Sequence, residues 1–201
     1  MNVGWTPALL VPILLASGCA KTDYDRKLDK VDVSAELRAF LEAGKTPYAR
    51  WLARNLDPDQ EPSLASENWD LWQLTWTDNF FELQEVPPPQ PRKNLRLVAR
   101  KLEELERECA PTIWVHSAYR SPGVNRAVGG ANSSRHLEGL AADISFPGSG
   151  EHSIKTCLCH RARAGICEMY VEGKKHYIHM GLCRYLEQPQ PLAWCKGIRP
   201  P

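Results

Sequence analysis

An α+β fold built on an antiparallel sheet is what this sequence predicts, and three observations lead there. Short runs of apolar and β-branched residues, such as Thr112 to Ser117 and Leu140 to Phe146, read as strands. Leu95, Val98, Leu102, Leu105 and Cys109 form one apolar stripe at helical spacing. The strands and helices mix without a regular strand–helix–strand alternation, which argues against a wound parallel sheet. Helices should flank the sheet, and a small helical, aromatic-rich region should precede it.

Taken in order, residues 1–18 read as a secretory signal. Val3 to Ala16 is apolar, carries Pro7 and Pro12, and is shorter than the roughly 20 residues a bilayer span needs. It ends in the lipobox-like "LLASGC", in which Cys19 would be lipidated and become the mature N-terminus. The alternative is an ordinary cleaved signal with Cys19 as a bystander, and either reading exports the protein. Ala20, rather than an aspartate, follows the cysteine, and resemblance to bacterial lipoproteins then implies the outer membrane. The polar residues 19–32 would be a tether.

Residues 33–86 form the aromatic-rich region. A helix is expected over Ser34 to Ala43, stopped by Gly44, and a second from the Thr46-Pro47 cap through Trp51, Leu52 and Leu56. "ENWDLWQLTWTDNFF" brings Trp69, Trp72, Trp76, Phe80 and Phe81, a set suited to a core and, if exposed, to stacking on sugar rings. Residues 87–93, within "EVPPPQPRKN", read as a stiff extended linker. The main domain then spans 94–201, with Asn94 capping its first helix. After the two strands named above, a helix is expected near Ile154 to Ala164. Ile166 to Val171 and His176 to Leu182, separated by "EGKK", read as a hairpin.

The chain has 201 residues, 43% hydrophobic and 24% charged, an ordinary globular balance. Its formal charge of +1 gives no reason to expect a nucleic-acid partner. Besides Cys19 there are six cysteines, Cys109, Cys157, Cys159, Cys167, Cys183 and Cys195. An even count in an exported protein favours three disulfides, of a pairing the sequence does not define. "CLCH" at Cys157 to His160 could be half of a zinc site, but no second close-spaced pair completes it.

The segment with the most chemistry is "SSRHLEGLAAD". In Ser134-x-His136-x-x-Gly139-x-Ala141-x-Asp143, a nitrogen and an oxygen donor can reach one divalent ion. The small residues let the chain turn and re-enter a strand. By average composition, five fixed residue types recur by chance in this length on the order of 1 in 10,000 times.

Around this segment, "SAYRSPGVNRAVGGANSSRHLEGLAADI" (Ser117 to Ile144) resembles the core motif of the zinc D-alanyl-D-alanine peptidases, the M15 family of murein carboxypeptidases and endopeptidases. The resemblance runs roughly from Leu95 to Leu182. It implies one catalytic zinc ion held by His136, Asp143 and a later strand histidine, His179 in "HYIHMGL". Two imidazoles and one carboxylate leave a fourth position open for water, as in catalytic sites. It also implies that Arg120 in "YRSP" grips the substrate carboxylate or the developing oxyanion. Ser134 would orient the loop or a ligand by hydrogen bonding.

The general base is where the chain departs from the family. Members place a carboxylate three residues or one residue before the last histidine ligand, and many place an aspartate two residues after it. Here those positions are His176, Ile178 and Gly181. His176 could carry the proton instead, although strict alternation would put it on the opposite face from His179. Glu138, Glu168 and Glu172 are further candidates. The leading expectation is an exported zinc peptidase acting on peptidoglycan peptides. The second is a peptidoglycan-binding lipoprotein that keeps the zinc site without turnover.

Overall fold

The structure is a computed structural model that describes residues 39–40, 43–55, 65–77, 80–110, 112–160, 164–171, 177–189 and 193–196. Helix α1, Pro47–Asn55, starts as its sequence dictates: the Thr46 hydroxyl accepts from the Ala49 N–H at 3.0 Å, and proline follows the cap. Most of Ser34 to Ala43, the signal segment and Cys19 lie outside the described residues.

Helix α2, Pro89–Glu108, begins five residues before the cap expected at Asn94. Most of 87–93 is therefore helix, not an extended linker. Pro89 and Pro91 fall in the first turn, where backbone N–H groups have no intrahelical acceptor and the fixed φ already suits a helix. Asn94, freed from capping, donates from Nδ2 to the Glu138 carbonyl at 2.8 Å. The predicted stripe is real: Leu95, Val98, Leu102 and Leu105 are fully buried.

Four strands follow, β1 (Trp114–Ser117), β2 (Ala141–Ser145), β3 (Ile166–Val171) and β4 (Ile178–Leu182). They form one sheet in the order β1-β2-β4-β3, antiparallel throughout, so the fold is α+β as the sequence implied. Between them lie α3, Pro122–Ala127, and α4, Glu151–His160. Helix α3 falls where no element was expected; its signal is Ser121-Pro122, a cap whose hydroxyl accepts from Val124 N–H, then proline. Asn125 shapes the following loop, because its Nδ2 donates to the carbonyls of Gly130 and Ala131.

Strand alternation gives the sheet two different faces. Ala142 and Ile144 on β2, Ile178 and Met180 on β4, and Met169 on β3 join the α2 stripe and Ile154 and Leu158 of α4 in the main core. The intervening residues, Asp143, His179 and Tyr170, pair directly across the strands on the other face. An irregularity at His116 sets Ser117 opposite Asp143 as well.

The aromatic region is core. Trp69, Leu71 and Leu74 belong to the same cluster as α2 and the sheet, while Trp72, Trp76, Tyr48 and Leu52 form a second cluster beside it. Phe81 is buried and Phe80 is half exposed. Buried Gln84 ties this region to the site: its Nε2 donates to the carbonyls of Thr75 and Tyr119, and its Oε1 accepts from Ser121 N–H. Three disulfides, Cys109–Cys157, Cys159–Cys195 and Cys167–Cys183, use all six cysteines, so "CLCH" is no zinc half-site. Among the described residues no helix is long and apolar enough to cross a membrane.

Candidate metal centre

His136 sits in the turn before β2, and its backbone is held from both sides. The Ser134 hydroxyl accepts from His136 N–H at 3.3 Å, and Arg120 N–H donates to the His136 carbonyl at 3.1 Å. The turn closes at Gly139, whose φ of +66° suits glycine. A Cβ there would lie 2.6 Å from the Pro91 carbonyl oxygen, so the start of α2 packs on this turn only because the side chain is absent. Beyond it, β2 delivers Asp143 directly opposite His179 of β4.

The three side chains that the family resemblance implied as ligands, two of them within the motif, come together. His136 Nε2 lies 3.1 Å from Asp143 Oδ1 and 3.2 Å from His179 Nδ1, and His179 Nδ1 lies 3.0 Å from the same carboxylate oxygen. All three residues are buried, with no more than 4% of any one exposed. Burial lowers the proton affinity of His136 below the ordinary imidazole range, with the Arg120 and His179 charges adding to that and Asp143 opposing it. Burial alone would raise the Asp143 carboxyl, but His136, His179 and Arg120 outweigh it and hold it far below the usual carboxylate range.

His136 Nδ1 is 2.6 Å from the Ala118 carbonyl, which can only accept, so the ring proton of neutral His136 sits there. Nε2 then turns a lone pair towards the Asp143 carboxylate. Two buried acceptors facing each other at 3.1 Å repel unless a cation lies between them. Two metal–ligand bonds of about 2.0–2.1 Å at a tetrahedral angle would separate their donor atoms by about 3.3 Å, close to the spacing seen. The donor set and geometry therefore fit a zinc-type ion.

Arg120 is only 8% exposed and faces the cluster. Its Nη2 pairs closely with Asp143 Oδ2 and its Nε donates to the Ser117 hydroxyl at 2.9 Å. Among the described residues its Nη1 makes no hydrogen bond. Of the candidate bases, His176 and Glu172 lie outside the described residues. Glu138 is bound by Arg184 at 2.7 Å. Glu168 approaches His179 Nε2 at 3.4 Å while pairing with Arg135 Nε at 2.7 Å. Tyr170 stacks on the His179 ring, centroids 4.6 Å apart, with about half its own surface exposed. Arg135 and its anchor Glu187, 2.7 Å away, were not foreseen, because nothing local marks partners 52 residues apart.

A family model described as Peptidase M15 matches residues 69–181, more than half of the chain. The match takes in the whole cluster, and it starts at Trp69, well before the resemblance visible in the sequence. Among curated proteins none matches this chain.

Proposed function

Because the chain belongs to the peptidase M15 family, we propose that this peptidase depends on one zinc ion held by His136, Asp143 and His179. We further propose that it hydrolyses D-alanyl or D-amino-acid cross-link bonds in bacterial peptidoglycan peptides. The observation that supports the metal is the buried contact of His136 Nε2 with Asp143 Oδ1 at 3.1 Å, with His136 Nδ1 turned to the Ala118 carbonyl and His179 Nδ1 completing the triangle.

A bound zinc ion supplies a Lewis acid that activates water and polarises the scissile carbonyl. The residues of the chain do the rest. The Ala118 carbonyl fixes the His136 tautomer, and Ser134 and Arg120 fix its backbone. Arg120 holds Asp143 Oδ2, which leaves Oδ1 turned inward. Its Nη1 is the donor available for a substrate carboxylate or an oxyanion. His176 is the proposed proton carrier.

The export reading belongs to the same proposal: a signal over 1–18, and a lipid on Cys19 that anchors the protein to the outer membrane. Three disulfides support an oxidising compartment.

A second reading, binding of peptidoglycan without turnover, is favoured by one observation. Among the described residues, both glutamates considered as bases, Glu138 and Glu168, are engaged by arginines. Digestion of muropeptides by purified protein, with and without chelator, separates the two. Zinc-dependent release of D-alanine or opening of a cross-link is expected; binding without product selects the second reading. His176→Ala should abolish cleavage with zinc content unchanged.

A further inference from the structure

We propose that Glu168 is a positioning residue for the metal centre: its carboxylate accepts the ring proton of His179 and so keeps the opposite nitrogen free to bind the ion. This rests on the metal reading above. His179 presents Nδ1 to the cluster, 3.0 Å from Asp143 Oδ1 and 3.2 Å from His136 Nε2. A neutral imidazole that offers Nδ1 as a lone pair carries its proton on Nε2. The acceptor facing Nε2 is Glu168 Oε2, at 3.4 Å. His136 has solved the same problem with a backbone carbonyl.

Three features hold Glu168 in position. Its Oε1 pairs with Arg135 Nε at 2.7 Å, and Arg135 is itself fixed by Glu187 at 2.7 Å and by the Leu182 carbonyl at 3.0 Å. The Cys167–Cys183 disulfide ties the neighbouring residue of β3 to the residue after β4. The cross-strand partner of Glu168 is Gly181. A Cβ on Gly181 would lie 3.0 Å from Glu168 Cβ and Oε2 and 2.8 Å from Arg135 Cδ. The bare glycine thus leaves room over β4 for the carboxylate to lie beside His179. Nε2 is on the edge of the ring away from the cluster, so Glu168 orients a ligand and does not carry protons for the reaction.

The test is Co2+ and Zn2+ binding by the otherwise unaltered protein, E168A, E168Q and G181A, read as affinity by competition with a chromophoric chelator and as the Co2+ visible spectrum. E168A should bind both ions roughly 10–100-fold more weakly, with shifted Co2+ bands. E168Q keeps an acceptor and should recover most of the loss. G181A, by crowding the carboxylate, should move in the direction of E168A. Wild-type affinity and spectrum in both E168A and G181A would overturn the assignment and leave the metal reading standing. No binding by the unaltered protein would overturn both.

Discussion

Gly139 shows how much one residue contributes to the site. It closes the turn that carries His136, with φ at +66° and the Pro91 oxygen where a Cβ would be. Gly139→Ala should cost about 1–3 kcal/mol for the left-handed backbone alone, and more from the backbone clash. A lower melting temperature and weaker zinc binding, by calorimetry and metal titration, are the expected results. The titration of His136 and Asp143 also has a direction. Both hold protons less tightly folded than unfolded, so the unfolded chain takes up more protons as pH falls. The metal-free protein should lose stability through His136 below about pH 6.5, and through Asp143 below about pH 4. Thermal melts at pH 7.5 and 5.5 check the first part; an unchanged midpoint would show that His136 is not buried as a neutral ring. At this scale the sequence was most legible. Ser134, His136, Gly139 and Asp143 are close neighbours in the chain, and local geometry sets their relation.

Among the elements, the β3–β4 pair carries the most, because it presents His179, Glu168 and Tyr170 on one face. Cys167–Cys183 closes a loop of 16 residues across it. Replacing both cysteines by serine should cost about 3 kcal/mol by the loop-closure relation, measured by denaturant unfolding of the two proteins side by side. Strands were readable from their apolar and β-branched runs: β3 falls at the residues expected, and β1, β2 and β4 are each shorter by up to two residues at an end. The start of α2 was not. "PPPQPR" carries strong signals for an extended chain, and what makes most of it helical is placement: Pro89 and Pro91 occupy a first turn that packs on Gly139. Composition cannot distinguish a proline that breaks a helix from one that begins it.

For the molecule as a whole, the aromatic stretch and the sheet share a core. Trp69 and Leu74 are fully buried in the cluster that holds Leu95 and Ile144. The Leu74 carbonyl accepts from Tyr119 N–H at 2.8 Å, one residue before Arg120. A chain shortened to residues 87–201 should therefore fail to fold cooperatively, although the sequence reads as a linker over 87–93 followed by a separate domain over 94–201. Trp69→Ala in the full chain should cost about 3–5 kcal/mol, seen as a shift of the unfolding midpoint; a folded, metal-binding 87–201 fragment would refute the shared core.

By itself the sequence determined the α+β class, the use of six cysteines in disulfides and the pairing of His136 with Asp143 in one short motif, which depend on local periodicity, residue chemistry and short spacing. His179, 36 residues beyond Asp143, was named through the family resemblance and not through any local pattern. The tertiary structure alone decided the disulfide pairing, the joining of the aromatic region to the main core, and the Arg135–Glu168–His179 chain. Each of these is a contact between side chains far apart in sequence, and such contacts are selected by packing, which leaves no pattern within any one segment.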